Sequence, residues 1–165
     1  MSGINAYTLF HVMLSLAGIF SGFLVLGGLL KTQRLSAWTH VFVWTTLATN
    51  VTGFGFPFNG FTPAIGTGIV GTAVLALLLV ALYAKKLAGG WLKTYVITAV
   101  ISLYLNTFVL VVQLFLKVPT LNALAPKGNE PPFAISQGLV LLFFVYAGYL
   151  AVKRLRSAAA LPAQA

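Results

Sequence analysis

Cysteine is absent from this chain, and Glu130 is its only acidic residue. Without cysteine there is no disulfide, no thiolate metal site and no cysteine nucleophile. A single carboxylate cannot supply the paired acids of many hydrolases, and the HExxH, GxSxG and phosphate-binding glycine motifs are missing too. These absences leave an enzymatic role open but favour a protein that is not an enzyme.

Charged residues of either sign are scarce, at 7% of the chain, whereas 59% of the residues are hydrophobic. So few polar side chains cannot cover a water-soluble globule. A hydrocarbon core about 30 Å thick requires roughly 20 apolar residues in a helix, and lipid leaves no partner for unpaired backbone groups. The predicted fold is therefore all-α, an integral membrane bundle of five transmembrane helices at 6–30, 36–58, 64–84, 92–117 and 133–152. We expect one domain over 1–156, followed by a disordered cytoplasmic tail at 157–165.

The net charge of +9 raises the question of nucleic-acid binding. The basic residues are divided among three segments that follow helix 1, join helices 3 and 4, and follow helix 5, leaving only Lys117 and Lys127 at the other side. This is the positive-inside pattern, which predicts an outer N-terminus and a cytoplasmic C-terminus. We therefore expect a lipid bilayer as the partner and no nucleic acid.

Small residues recur on two of the predicted helices. Gly18 and Gly22 have GxxxG spacing in helix 1, and Gly68 and Gly71 lie in the outer half of helix 3. Such residues let helices approach closely in lipid. We expect helix packing within the chain, the alternative being a face for a second copy or a membrane-protein partner.

Polar residues are found at two depths. Asn50 of helix 2 and Asn106 of helix 4 lie close to the predicted midplane, accompanied by Thr49 and Ser102. We interpret them as an interhelical hydrogen-bonded contact, and the alternative is a ligand-lining role.

The second polar group lies near the outer face. It comprises His11, Gln113 and Gln137 near the outer ends of helices 1, 4 and 5, with Asn122 and Glu130 in the loop above them. An acid, a base and several amides at one depth predict a small-molecule pocket. The alternative is that His11 is a hydrogen-bonded structural residue.

Cofactor sites receive little support. His11 lies near the outer surface and His40 near the inner one, so about 15 to 20 Å of the hydrocarbon core separates them. They cannot both ligate one haem, and one histidine with one glutamate is a poor first shell for zinc or iron. We therefore predict no metal site and no haem held by two histidines, and we identify no cofactor; haem on a single histidine has no positive support but stays open.

Five segments carry a resemblance to other proteins. They are YTLFH (7–11), TGFGFPF (52–58), FTPAIG (61–66), LYLN (103–106) and EPPF (130–133). Together they resemble a group of small multi-pass bacterial inner-membrane proteins with no assigned activity. The resemblance extends over nearly the whole chain and implies a compartment, the bacterial inner membrane, but no activity and no site residues.

Three functional hypotheses follow. The first is a non-enzymatic protein that binds a small apolar or amphipathic ligand, of the lipid or quinone type, in the outer polar pocket. The second is an accessory or scaffold subunit that packs through its glycine-rich helix faces. The third and weakest is an outer-leaflet enzyme using His11 and Glu130.

Overall fold

A computed structural model describes residues 6–57, 60 and 63–159, with the side chains of all of these except 63, 64 and 156–159. Every regular element in those ranges is helical, as predicted. The elements are α1 (Ala6–Leu30), α2 (Ser36–Gly53), α3 (Pro63–Leu79), which continues as a π-helical turn (Val80–Ala84), α4 (Trp91–Lys117), α5 (Pro119–Leu124) and α6 (Pro131–Ala159).

Among the residues that the structure describes, four helices are long and apolar enough to cross a membrane. They are α1, the stretch Ile65–Ala84 of α3 and its π-helical turn, α4, and the stretch Pro131–Leu155 of α6. The helix α2 does not reach this standard, because threonines, Asn50 and His40 lower its hydropathy.

Most helix bounds fall within a few residues of the predicted ones, and the differences have local causes. The helix α2 ends at Gly53, where the N–H groups of Phe54 and Gly55 turn back to the carbonyls of Val51 and Thr52. The end predicted for it, at residue 58, lies outside the described residues. The helix α6 begins at Pro131, since a first-turn proline has no N–H that needs a partner.

Two parts of the C-terminal region differ from the sequence-based prediction. The loop after α4 contains a short helix, α5, which begins at Pro119 after an extended Val118, as expected for a residue that precedes proline. The helix α6 continues to Ala159, beyond the predicted end at 152. Lysine, arginine and alanine favour helix, so the basic end of α6 and the first residues of the predicted tail extend it. Residues 160–165 of that tail lie outside the described residues.

The five long helices alternate in direction. Gly22 of α1 lies against Phe42 of α2, and Gly71 of α3 lies against Asn50 of α2. The α6 side chain of Gln137 bonds the Phe108 carbonyl of α4. One end of the bundle, the N-end, therefore holds the N-terminus of α1, and the other, the C-end, holds the C-terminus of α6.

The central helix of the bundle is α4, which contacts α1, α3, α5 and α6. Its buried stripe includes Val96, Ala99 and Leu103, and it packs with Phe42 of α2 and Leu78 of α3 in one apolar core. At the C-end, the Arg154 guanidinium of α6 donates to the Leu30 carbonyl. That contact satisfies a last-turn carbonyl of α1 and joins the first and last long helices.

The helix α2 has a largely apolar outer face, and its inner face carries threonines beside Phe42 and Val43. Its exposed positions include Val41, Trp44 and Val51, whereas Thr39, Thr46 and Thr49 are buried. Thr39 and Tyr95 of α4 share a hydroxyl–hydroxyl bond of 3.1 Å. Part of the low mean hydropathy of α2 thus comes from threonines that face the protein.

Candidate functional site

His11 is joined to α2 near the N-end. Its Nδ1 lies 2.8 Å from the Thr52 hydroxyl, and that hydroxyl in turn lies 2.7 Å from the Ala48 carbonyl. The Thr52 hydroxyl has one proton and donates it to the Ala48 carbonyl, so it can only accept from His11. The imidazole N–H at Nδ1 is therefore the donor to Thr52. The Tyr7 hydroxyl donates to the Thr52 carbonyl at 2.6 Å, and the Phe56 ring lies edge-on to both His11 and Tyr7. This contact group closes the α1–α2 hairpin.

The other members of the predicted outer pocket have separate partners. The Gln137 amide donates to the Phe108 carbonyl at 3.1 Å, and the Asn122 amide donates to the Phe115 carbonyl at 3.1 Å. The Gln113 side chain is exposed. Among these described residues and His11 and Glu130, no hydrogen bond joins any two. The outer pocket therefore stays a prediction.

Glu130 orders its own loop. Its carboxylate accepts from the Lys127 N–H at 3.0 Å and from the Asn129 N–H at 3.1 Å. Desolvation raises the pKa of Glu130, but the backbone N–H donors around the carboxylate lower it by more, and the net pKa lies below its ordinary value. The carboxylate is thus an anion that holds a turn, and it shares no hydrogen bond with His11.

The two amides predicted near the midplane form bonds, but not with each other. The Asn50 amide of α2 donates to the Thr72 hydroxyl of α3 at 2.7 Å. The Asn106 amide of α4 donates to the Thr46 hydroxyl of α2 at 3.3 Å. The predicted Asn50–Asn106 bond is therefore replaced by two bonds that join α2 to both α3 and α4.

Two buried hydroxyls and one buried amide oxygen have no hydrogen-bond partner within the described part of the chain. They are Thr49 Oγ1, Ser102 Oγ and Gln137 Oε1. The Thr49 and Ser102 side chains are 8% and 2% exposed. They belong to different helices, and no hydrogen bond joins them.

The four predicted packing glycines all face side chains of the same molecule. A Cβ at Gly18 would lie 3.2 Å from the Thr46 hydroxyl, and one at Gly22 would lie 2.6 Å from Leu103 Cδ1. Gly68 faces the Phe54 ring, and Gly71 faces the Asn50 amide oxygen at 3.1 Å. These faces are filled from within the bundle.

The two histidines lie at opposite ends of α2. His40 Nδ1 lies 2.8 Å from the Tyr83 hydroxyl, contributed by the π-helical turn near the C-end, whereas His11 bonds Thr52 near the N-end. In the ranges that the structure describes, no three His, Asp or Glu side chains lie together as metal ligands would.

An apolar groove lies between α4 and α6. Its volume is about 510 Å³, and it is lined by Ile97 to Leu105 of α4 and by Leu141 to Val152 of α6. Gly148 lies in the α6 wall, and a Cβ there would approach Val100 Cγ1 to 3.2 Å. The absence of a side chain at this position therefore lets α6 lie close to α4 along the groove.

Comparison of the chain with family models, curated proteins and solved structures finds no match. The geometry alone therefore supports what is proposed below.

Sequence reasoning did not find the groove, because its walls consist of the same leucines, valines and aromatic residues as any apolar helix face. The one local signal is Gly148, a residue without a side chain between Ala147 and Tyr149. A small residue predicts close helix approach, but it does not say which neighbouring helix approaches.

Proposed function

We propose that this chain is a five-span protein of the bacterial inner membrane that binds a small amphipathic ligand, of the lipid or quinone type, without turning it over. The observation that carries the proposal is the groove between α4 and α6. Its walls are apolar, and its volume of about 510 Å³ falls within the usual range for small-molecule sites.

Membrane insertion is supported by the surface of the bundle. In the most apolar window of each of the four long apolar helices, between 22% and 33% of the residues are buried. Most residues of these helices are therefore at least partly exposed, among them the apolar side chains of Phe10, Met13 and Phe20. An exposed apolar area of this extent is unfavourable in water and suits a hydrocarbon environment.

A fifth span is supported by α2. Its 18 residues extend about 27 Å, close to the thickness of a hydrocarbon core. Its exposed face carries valines and tryptophans, and its buried threonines and Asn50 face other helices. Charge then sets the orientation: Lys31, Lys85 and Lys93 belong to the C-end, which we assign to the cytoplasm.

Reporter fusions test this topology. After Gly89, in the α3–α4 turn, only a reporter that is active in the cytoplasm is expected to give a signal. After Gly128, only a reporter that is active outside the cytoplasm is expected to give one. The physical reason is the excess of lysine and arginine at the C-end. The reverse pair of signals would contradict the orientation, and the same signal at both sites would contradict the crossing of α4.

The groove fits one leaflet of a bilayer. Ile97 to Leu105 extends about 12 Å along α4, and Leu141 to Val152 extends about 16 Å along α6. Half of a hydrocarbon core is about 15 Å. The groove begins near the C-end and ends near the middle of the bundle, so it matches the position of an acyl or isoprenoid chain in the cytoplasmic leaflet.

The alternatives have less support. His11 is hydrogen-bonded to α2, and Glu130 is hydrogen-bonded to its own loop. The enzyme hypothesis requires these two residues to act as an acid and base pair, and they share no hydrogen bond. The glycine faces proposed for a scaffold subunit pack against Phe42, Leu103, Phe54 and Asn50 of the same molecule. A scaffold role would need another surface.

A tryptophan in the groove tests the proposed function. Val145 lines the groove and is 61% exposed, whereas Leu142 of the same helix is 66% exposed and is not part of the lining. We expect Val145→Trp to reduce ligand occupancy about tenfold, because the indole occupies the space of the chain. Leu142→Trp is the matched control and is expected to retain the ligand.

Native mass spectrometry of gently purified protein measures this occupancy, and extraction identifies the ligand class. Equal retention by the two tryptophan variants would contradict the groove as the binding site. A mass without any lipid or quinone in wild-type protein, after supplementation with both classes, would contradict the function itself.

A further inference from the structure

Three of the side chains that line the groove between α4 and α6 are aromatic. Tyr104 comes from α4, and Phe144 and Tyr149 come from α6. The Tyr104 and Phe144 rings meet edge to face, with their centres 5.8 Å apart and their planes at 62°. Phe144 belongs to the buried core, and Tyr104 packs against that core. The groove therefore presents a fixed aromatic surface beside its aliphatic side chains.

Tyr104 adds a hydroxyl to this aromatic surface. The residue is half-buried, and within the described residues its hydroxyl forms no hydrogen bond. That hydroxyl is not among the unbonded atoms that the bundle buries, so it is accessible at the surface. Tyr104 is the middle residue of α4 (Trp91–Lys117), which lies near the centre of the proposed bilayer. Because that region holds almost no water, a ligand with a hydrogen-bond acceptor would be stabilised there.

The groove lining offers no ionic partner to a ligand. None of the residues that line it in the described structure is charged. A phospholipid can place a chain there, but the groove would then recognise only hydrocarbon, as any aliphatic surface does. Aromatic rings, in contrast, pair favourably with other rings beyond the apolar area that they bury. The lining therefore complements an uncharged ligand that combines a ring, a hydrogen-bond acceptor and an apolar chain.

We propose that the ligand of the groove is a prenylated quinone, whose ring lies against Tyr104 and Phe144 and accepts a hydrogen bond from the Tyr104 hydroxyl at one carbonyl. The first units of its isoprenoid chain follow the aliphatic side chains toward the C-end, from Ile101 to Ile97 on α4. This inference rests on the proposed function and names the ligand class of the same site. A quinone carbonyl is an acceptor without charge, so it suits a depth at which a phosphate is unfavourable.

A simpler explanation for the same aromatic residues is packing, since the Tyr104 ring already stabilises the contact of α4 with α6 through Phe144. The two explanations differ in what they require of Tyr104. Packing requires the ring, whereas the quinone site requires the hydroxyl as well. The test therefore removes the hydroxyl and keeps the ring, as Tyr104→Phe does.

The experiment uses the full-length protein in detergent, titrated with decylubiquinone or with dodecylbenzene, which has a ring and an apolar chain but no carbonyl. Native mass spectrometry measures the binding. We expect Tyr104→Phe to weaken decylubiquinone binding about fivefold, the usual worth of one hydrogen bond, and to leave dodecylbenzene binding unchanged. Tyr146 of α6 is 63% exposed and is not part of the lining, so Tyr146→Phe is the matched control and should change neither affinity.

Infrared difference spectroscopy gives a second measurement of the same contact. A hydrogen bond weakens the C=O bond of the quinone, so the carbonyl stretch of bound decylubiquinone should lie at a lower frequency in wild-type protein than in Tyr104→Phe. Packing of the Tyr104 ring alone would not produce this difference, because both variants keep the ring.

The outcomes separate this inference from the proposed function. Equal decylubiquinone affinities in wild-type protein and Tyr104→Phe, or equal losses in Tyr104→Phe and Tyr146→Phe, would overturn the quinone site. Failure of decylubiquinone to bind, together with a co-purified phospholipid that Val145→Trp loses, would overturn the quinone class and leave the groove function standing. Decylubiquinone binding that Val145→Trp does not change would overturn the groove itself as the binding site.

Discussion

Gly22→Ala is expected to destabilise the bundle by about 3 kcal/mol, the upper part of the range for overpacking a core. A Cβ at this position would lie 2.6 Å from Leu103 Cδ1 and 2.8 and 2.9 Å from two atoms of the Phe42 ring. Both neighbours are 1% exposed, so neither has free space into which to move. The methyl group can enter only if α1 moves away from α2 and α4.

The same helix supplies the control for this change. No atom lies within 4 Å of a Cβ built on Gly27, so Gly27→Ala adds only helix propensity. That gain is about 0.5 to 1 kcal/mol. The midpoint of unfolding by SDS in mixed micelles should therefore fall for Gly22→Ala and stay or rise for Gly27→Ala. Equal midpoints would mean that α1 does not pack against Phe42 and Leu103 through Gly22.

Gly22 also shows what can be predicted from sequence about packing. The GxxxG spacing of Gly18 and Gly22 predicts a close helix contact, and the structure contains one inside the molecule. The spacing does not say which helices fill that face, because any helix with a suitable surface can approach it. Phe42 and Leu103 are known as partners only once α2 and α4 are placed.

The polar residues show that the depth of a side chain can be predicted from sequence more reliably than its hydrogen-bond partner. Counting residues from helix ends places Asn50 and Asn106 at one level, and both form interhelical bonds. Their partners, Thr72 and Thr46, depend on how each helix is rotated about its axis. A sequence gives depth through the rise per residue, but rotation depends on which neighbours a helix has.

The outer polar group shows more clearly that a sequence predicts the depth of a residue but not the direction in which it points. His11, Gln113 and Gln137 occupy similar depths, yet His11 faces α2, Gln137 faces a carbonyl of α4, and Gln113 is exposed. The hairpin of α1 and α2 decides the orientation of His11, because Thr52 lies in the last turn of α2 and Phe56 follows shortly after the helix. The apolar groove has no polar signature and is visible only when α4 and α6 are side by side.

Phe42→Ala is the second change with a large expected effect, a loss of about 3 kcal/mol. The ring is buried between α1 and α4, and its removal leaves a cavity in the core shared with Leu103 and Val96. In a bilayer the unfolded helix keeps its side chains in lipid, so the lost energy is mainly packing rather than transfer from water. We therefore expect the low end of the range for phenylalanine.

A phenylalanine outside the core provides the comparison. Phe10 of α1 is 56% exposed. Phe10→Ala should therefore change the free energy of unfolding, measured by SDS titration, by less than about 0.5 kcal/mol. A fall of equal size in Phe10→Ala and Phe42→Ala would contradict the assignment of the two faces, and with it the inward position of the α2 stripe that includes Thr46 and Thr49.

The two large effects should not add. Phe42→Ala removes the ring atoms at 2.8 and 2.9 Å from the Gly22 position, so a methyl group there would meet only the Leu103 side chain, whose end can rotate. Residues in direct contact show coupling energies of about 0.5 to 3 kcal/mol. The double variant should therefore lose less unfolding free energy than the two single variants lose together. Strictly additive losses would mean that Phe42 and Gly22 are not in contact. Because this coupling depends on α1, α2 and α4 meeting at one point, it tests the packing on which the central position of α4 rests.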